Sequence, residues 1–185
     1  MSKARLGVTM FIVSETTFFL TLIIGYAFYH TYPGAGPTAA TSLDVGRTAA
    51  FSVLLFSSSA TIWLAGRCYS REGQKGVAMW LIITVLLGGA FLFGQAIEYV
   101  ELYSHGVTIS RNMFGTMFFT LTGFHGIHVF AGLTALAIVA WLVLLGEMKD
   151  KESHAEAFEA VSLYWHFVDA VWVVVFSVVY LWALV

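Results

Sequence analysis

Two short segments place histidines and a carboxylate inside stretches whose other residues belong in lipid. One is Tyr164-Trp165-His166-Phe167-Val168-Asp169, and the other is Thr122-Gly123-Phe124-His125-Gly126-Ile127-His128. A histidine and an aspartate three residues apart can pass a proton, ligate a metal or lock two helices in register. Ionisable groups at bilayer depth are costly unless they are paired or face protein, so these side chains must pack against something. Glu15, within Ser14-Glu15-Thr16-Thr17-Phe18-Phe19, poses the same problem. A carboxylate among phenylalanines needs a proton, a histidine, or a group from a second chain or a lipid to neutralise it.

Helical spacing turns these residues into surfaces. Glu159, Ser162, His166, Asp169 and Val173 recur at steps of three and four and share one face. In the preceding stretch Thr122, His125, His128 and Gly132 do the same, and Ala135 continues the line. The small pairs Thr122/Gly126 and Ala131/Ala135 let a neighbouring helix approach closely. If the two helices are antiparallel, their polar faces reach similar depth, and a single shared hydrogen-bond network is expected.

The chemistry of that network stays open between structural packing, a proton or lipid-headgroup role, and redox-metal ligation. Haem bundles present histidines on facing helices around an open cleft, whereas His125 and His128 are close together on one helix. No His-Glu-x-x-His element and no clustered carboxylate–histidine set is present. His125, His128, Glu159, His166 and Asp169 are expected to form a buried polar network or a subunit contact. Glu15 is the candidate for a lipid- or proton-linked role.

The elements that must position these groups follow from composition. The chain is 59% hydrophobic and 11% charged, where soluble domains carry roughly 25% charged residues, and its mean hydropathy is +0.82. Crossing the hydrocarbon core takes about 20 apolar residues, and five runs qualify: 7–30, 48–68, 77–101, 113–145 and 157–184. The expected fold is all-α: one polytopic membrane domain over residues 1–185 with five transmembrane helices.

Tyr32-Pro33-Gly34-Ala35-Gly36-Pro37 and Arg71-Glu72-Gly73-Gln74-Lys75-Gly76 read as connections. The mixed charges Glu147, Lys149, Asp150, Lys151 and Glu152 read as a wet loop. The first apolar stretch follows Lys3 and Arg5, contains Glu15 and lacks a small-residue cleavage site, so a retained signal-anchor helix is expected. Lys3, Arg5, Arg67, Arg71, Lys75, Lys149 and Lys151 fall on one side of the five crossings, and only Arg47 and Arg111 on the other. The positive-inside rule then puts the N-terminus in the cytoplasm and the C-terminus outside.

Other features are plainer. Cys68 is the lone cysteine and has no internal disulfide partner. Gln95-Ala96-Ile97-Glu98-Tyr99 lies near a helix end, where carboxylates and tyrosines are tolerated at the interface. His30, His105 and His154 lie near loops. No phosphate-binding glycine loop, nucleophile elbow or nucleic-acid motif is present.

Taken in order, several of these words form a family pattern. Ser14-Glu15 with Phe18-Phe19, Ala27-Phe28-Tyr29-His30, Gln95 to Tyr99, Thr122 to His128, and Glu159 through Tyr164 to Asp169 with Val171-Trp172 resemble subunit III of the haem-copper cytochrome c oxidases. The resemblance covers nearly the whole chain and is closest to the five-helix bacterial form. It implies a non-catalytic subunit without haem or copper of its own. Such a subunit packs on catalytic subunit I in a complex that includes subunit II, and those partners carry the haem and copper. It also implies bound phospholipid, support of proton uptake and durability, and a place in the bacterial inner membrane. Glu15 matches the family's membrane-buried glutamate. The alternatives within reach are the matching subunit of a bo-type quinol oxidase and an accessory protein of nitric oxide reductases. A free-standing proton channel or transporter is the reading from a different class, and the absence of inverted repeats speaks against it.

Overall fold

A computed structural model of the chain describes residues 3–32, 36–71, 74–146 and 151–184. The Pro33–Ala35 part of the first connection, Glu72 and Gly73 of the second, and residues 147–150 of the charged loop lie outside the described residues. So do the side chains of Lys3, Arg71, Lys75 and Lys151. Five long helices carry the fold: α1 Lys3–Thr31, α3 Val45–Arg71, α4 Gln74–Ser104, α5 Met113–Leu144 and α6 Lys151–Phe176. Each contains a segment long and apolar enough to cross a membrane, and no strand occurs among the described residues. A short helix α2, Ala39–Ser42, caps the space after α1. The sequence reading did not foresee it, because four residues carry no periodicity to read.

α6 begins at Lys151, before the expected start at residue 157. Hydropathy senses where lipid begins, whereas the Lys-Glu-Ser-His-Ala-Glu-Ala segment is helix-competent in water and extends the helix beyond the apolar core. At its other end α6 widens into a π turn, Ser177–Leu181. Val179 and Tyr180 are both fully buried there. α4 ends where Gly106 adopts φ 78°, with Val107 N–H bonded to Leu102 O at 3.0 Å and Gly106 N–H to Tyr103 O at 3.0 Å. These are the two bonds of a Schellman stop. α5 starts on Asn112, whose side chain accepts from Gly115 N–H at 2.8 Å.

Packing sets which face of α6 looks inward. α3 lies along α4, α4 along α5, and α6 rests against α5, α1 and α3. Trp165 and Trp172 are fully buried and donate their indole N–H groups to Ser58 at 3.0 Å and Ser52 at 2.8 Å, both on α3. Trp165 also lies across Gly88 of α4 and Gly132 of α5. A Cβ at either glycine would come within 2.8 Å of the indole ring. These two bulky rings take the interior, and their orientation fixes where the polar residues beside them must go.

Candidate functional site

The shared α5–α6 network expected from helical spacing does not form. With Trp165 and Trp172 turned inward, Glu159, His166 and Val173 are exposed on the outside of the bundle. Neighbouring residues on a helix differ by about 100°, so burying the tryptophans rotates His166 away from α5. Asp169 alone of that face is buried, and it turns towards α3. The α5 histidines separate as well: His125 is fully buried, and His128 faces α1.

His128 and Glu15 meet between α5 and α1, with Nε2 3.0 Å from Oε2. The other ring nitrogen, Nδ1, is 2.7 Å from the Phe124 carbonyl. A carbonyl only accepts, so Nδ1 must carry hydrogen. The contact between Nε2 and Oε2 then needs one more proton, held as imidazolium–carboxylate or as imidazole–carboxylic acid. Either way the pair is neutral overall and holds one shared proton. Phe19 packs edge-on to the imidazole at 4.9 Å, and Tyr164 donates to the His128 carbonyl at 3.1 Å.

His166, Ser59 and Asp169 form a second unit, between α6 and α3. Ser59 donates to Asp169 Oδ2, and its hydroxyl lies 3.0 Å from His166 Nδ1. A hydroxyl has one hydrogen, so with that hydrogen on Asp169 it accepts from Nδ1–H. Asp169 Oδ1 is buried without a hydrogen-bond partner.

His125 makes no hydrogen bond through either ring nitrogen. It stacks on Trp172 with ring centroids 4.8 Å apart at 24°, and Phe91 stands edge-on at 6.1 Å. In that setting it packs as an aromatic ring. Glu159 is exposed near the start of the α6 span and joins neither unit.

Two further networks lie around the Gln95–Tyr99 segment, which in sequence reads as an ordinary helix end. Glu98 is 2% exposed. It accepts from Thr48 at 2.9 Å and from Tyr180 at 2.7 Å, one donor for each oxygen. One turn on, Glu101 pairs with Arg47. Gln95 donates to the Thr122 carbonyl at 3.0 Å and to the Tyr99 hydroxyl at 3.3 Å. Tyr99 is 2.7 Å from the Thr122 hydroxyl, which itself donates to Phe118 O at 2.7 Å. The signal that would have found the first network was charge: Arg47 is one of two basic residues on its side, and Glu98 and Glu101 end the next helix.

Among the described residues no group of three or more His, Cys, Asp or Glu side chains comes together as a metal site would require. What the geometry offers is paired: two carboxylate–histidine units, each able to hold a proton, and one fully satisfied buried carboxylate. They lie at three different helix interfaces, so each ties together a different pair or trio of helices.

Known proteins match this chain along its whole length. The family model for cytochrome c oxidase subunit III matches residues 1–184. Cytochrome c oxidase subunit 3 of Corynebacterium diphtheriae is 39% identical over 185 residues, covering 97% of this chain and 88% of that one. The same subunit of a Synechocystis strain is 36% identical, covering 95% and 74%, and that of Neurospora crassa is 37% identical, covering 96% and 67%. With five membrane-crossing helices and a match that runs the length of all of them, this chain is a multi-pass membrane protein and belongs to the cytochrome c oxidase subunit III family.

Proposed function

We propose that this chain serves as the non-catalytic subunit III of a proton-pumping haem-copper oxidase of the cytochrome c type. It forms one membrane domain in the bacterial inner membrane, with its N-terminus on the cytoplasmic side. It packs on catalytic subunit I, in a complex with subunit II, and those partners hold the haem and copper. The observation that carries this reading is the family match across residues 1–184.

The role is electrostatic and mechanical. The chain shields a flank of subunit I, retains phospholipid there and keeps the path of proton uptake in working geometry. Glu15 with His128 is the candidate lipid- or proton-linked unit. His125, His166, Asp169 and Glu159 serve packing and subunit contact.

The test compares purified oxidase with and without this chain. Loss of the chain is expected to leave haem reduction intact, slow proton uptake and shorten the catalytic lifetime. Full turnover and lifetime across the pH range without it would reject the role. Proton conduction by the purified chain alone in liposomes would favour a channel instead.

A further inference from the structure

The outer surface of the bundle has two characters. On α4 and α5 the outward residues are large and apolar, among them Leu86, Phe93, Val100, Ile127, Phe130 and Trp141. On α6 the outward line runs Glu159, His166, Ala170, Val173 and Ser177, and on the adjoining α3 the exposed residues beside Ser59 are Phe56, Ala60 and Trp63. Lipid tails suit the first surface. The second sets Glu159, His166 and the small Ala60 and Ala170 among apolar side chains, and small residues are what let a neighbouring helix come close within a membrane.

His166 sharpens the contrast. It is exposed near the middle of the span Ala155–Leu181, where an uncovered imidazole is unfavourable. Its Nδ1 is taken by Ser59, whose hydrogen goes to Asp169, so Nε2 is the ring nitrogen left for a partner. In the neutral ring that nitrogen accepts a hydrogen bond. Asp169, 6% exposed, sits directly beneath with Oδ1 also lacking a donor. Glu159 adds a second exposed acceptor on the same line. On the other flank of α6, only 6% of the apolar window of α1 is buried, against 33–39% in the other four helices. The surface that lacks a cover therefore continues from α6 onto α1.

We propose that the α3–α6 face, centred on His166, is where a transmembrane helix of another oxidase subunit docks, and that this helix presents hydrogen-bond donors to His166 and Glu159. The proposal rests on the subunit reading above and names the surface through which it operates. A lipid acyl chain offers no donor, and a second copy of this chain would bring acceptors against acceptors at His166 and Glu159.

The experiment uses the assembled oxidase carrying this chain in a Cys68→Ser background. Single cysteines at Ala60, Ala170, Leu86 and Ile127 are each labelled with a benzophenone maleimide and photolysed in native membranes. Adducts to another oxidase subunit are expected from Ala60→Cys and Ala170→Cys, and lipid adducts alone from Leu86→Cys and Ile127→Cys. His166→Leu is expected to lower retention of the chain through detergent purification about threefold, the size of one interhelical hydrogen bond. Ser59→Ala, which removes only the contact within the chain, is expected to leave retention unchanged. Subunit adducts from the α4–α5 positions, self-adducts of this chain, or lipid alone at Ala170 would overturn the assignment. If the unsubstituted chain does not purify with a haem-copper core, the subunit reading itself fails; if it does and the adducts map elsewhere, only the docking face is wrong.

Discussion

Glu98 and Asp169 are both carboxylates buried within membrane spans, 2% and 6% exposed, and the protein treats them in opposite ways. Glu98 receives a donor on each oxygen, from Thr48 and Tyr180, so helices α3, α4 and the end of α6 close around it. Asp169 receives one donor, from Ser59, and keeps a bare oxygen. It also shares that serine with a histidine exposed on the outside of the bundle. A buried polar group without a partner is penalised far more in a low-dielectric interior than a satisfied one. Glu98 is therefore a finished structural joint, whereas Asp169 belongs to a unit still open towards something beyond the chain.

The strongest way to break this comparison is Glu98→Ala. It strands the Tyr180 hydroxyl in the core, while the Thr48 hydroxyl keeps the Asp44 carbonyl at 3.0 Å. A loss of about 2 kcal/mol is expected from one buried unsatisfied group. Unfolding of the purified chain in detergent micelles measures it. If Asp169→Ala proves equally damaging, the contrast between the two sites does not hold.

Next in size is Tyr180→Phe, which leaves Glu98 with a single donor and so imitates the state of Asp169. A loss of about 1.5 kcal/mol is expected in the same assay. Combined with Glu98→Gln in a double-mutant cycle, it should show coupling of about 1 kcal/mol. Additive effects would mean that the short contact carries little energy.

Asp169→Asn is smaller still for the isolated chain, under about 1 kcal/mol, because an amide oxygen can still accept from Ser59. Its effect should appear instead in the complex, as weaker retention of the chain during purification. An intact complex together with a large loss of chain stability would reverse the assignment of the two carboxylates.

The smallest expected effect belongs to the Glu15–His128 pair. Hydrogen bonds between helices in a membrane average about 0.6 kcal/mol, and both side chains are partly exposed. A double-mutant cycle with Glu15→Gln and His128→Gln should return a coupling of about that size. A coupling several times larger would place this pair with Glu98 as a structural joint.

Much of the fold was legible from residue types. Apolar runs located all five crossings, because a bilayer imposes a length and a composition that no other environment requires. Ends were less legible, as at α6, where helix and lipid do not stop at the same residue. At the candidate site the residues were found but their partners were not. His128 and Glu15 are far apart in the chain, and nothing in local spacing said that α1 rather than α6 would supply the side-chain partner of His128. Glu98 was visible as an acid near a helix end, yet its burial depended on Tyr180 reaching it from a π turn.

By itself the sequence determined that this is a membrane-embedded helical chain, which residues must be neutralised within it, and which family words it carries. Composition and periodicity suffice for that, because transfer into lipid is a property of each segment. The tertiary structure alone decided who neutralises whom. Trp165 and Trp172 claimed the interior of α6 through Gly88, Gly132 and the serines of α3. That choice turned His166 outward, sent Asp169 to Ser59 and left His128 to Glu15. Rotation of a helix about its axis is set by the volumes it must bury against its neighbours, and those neighbours are not written in its own residues.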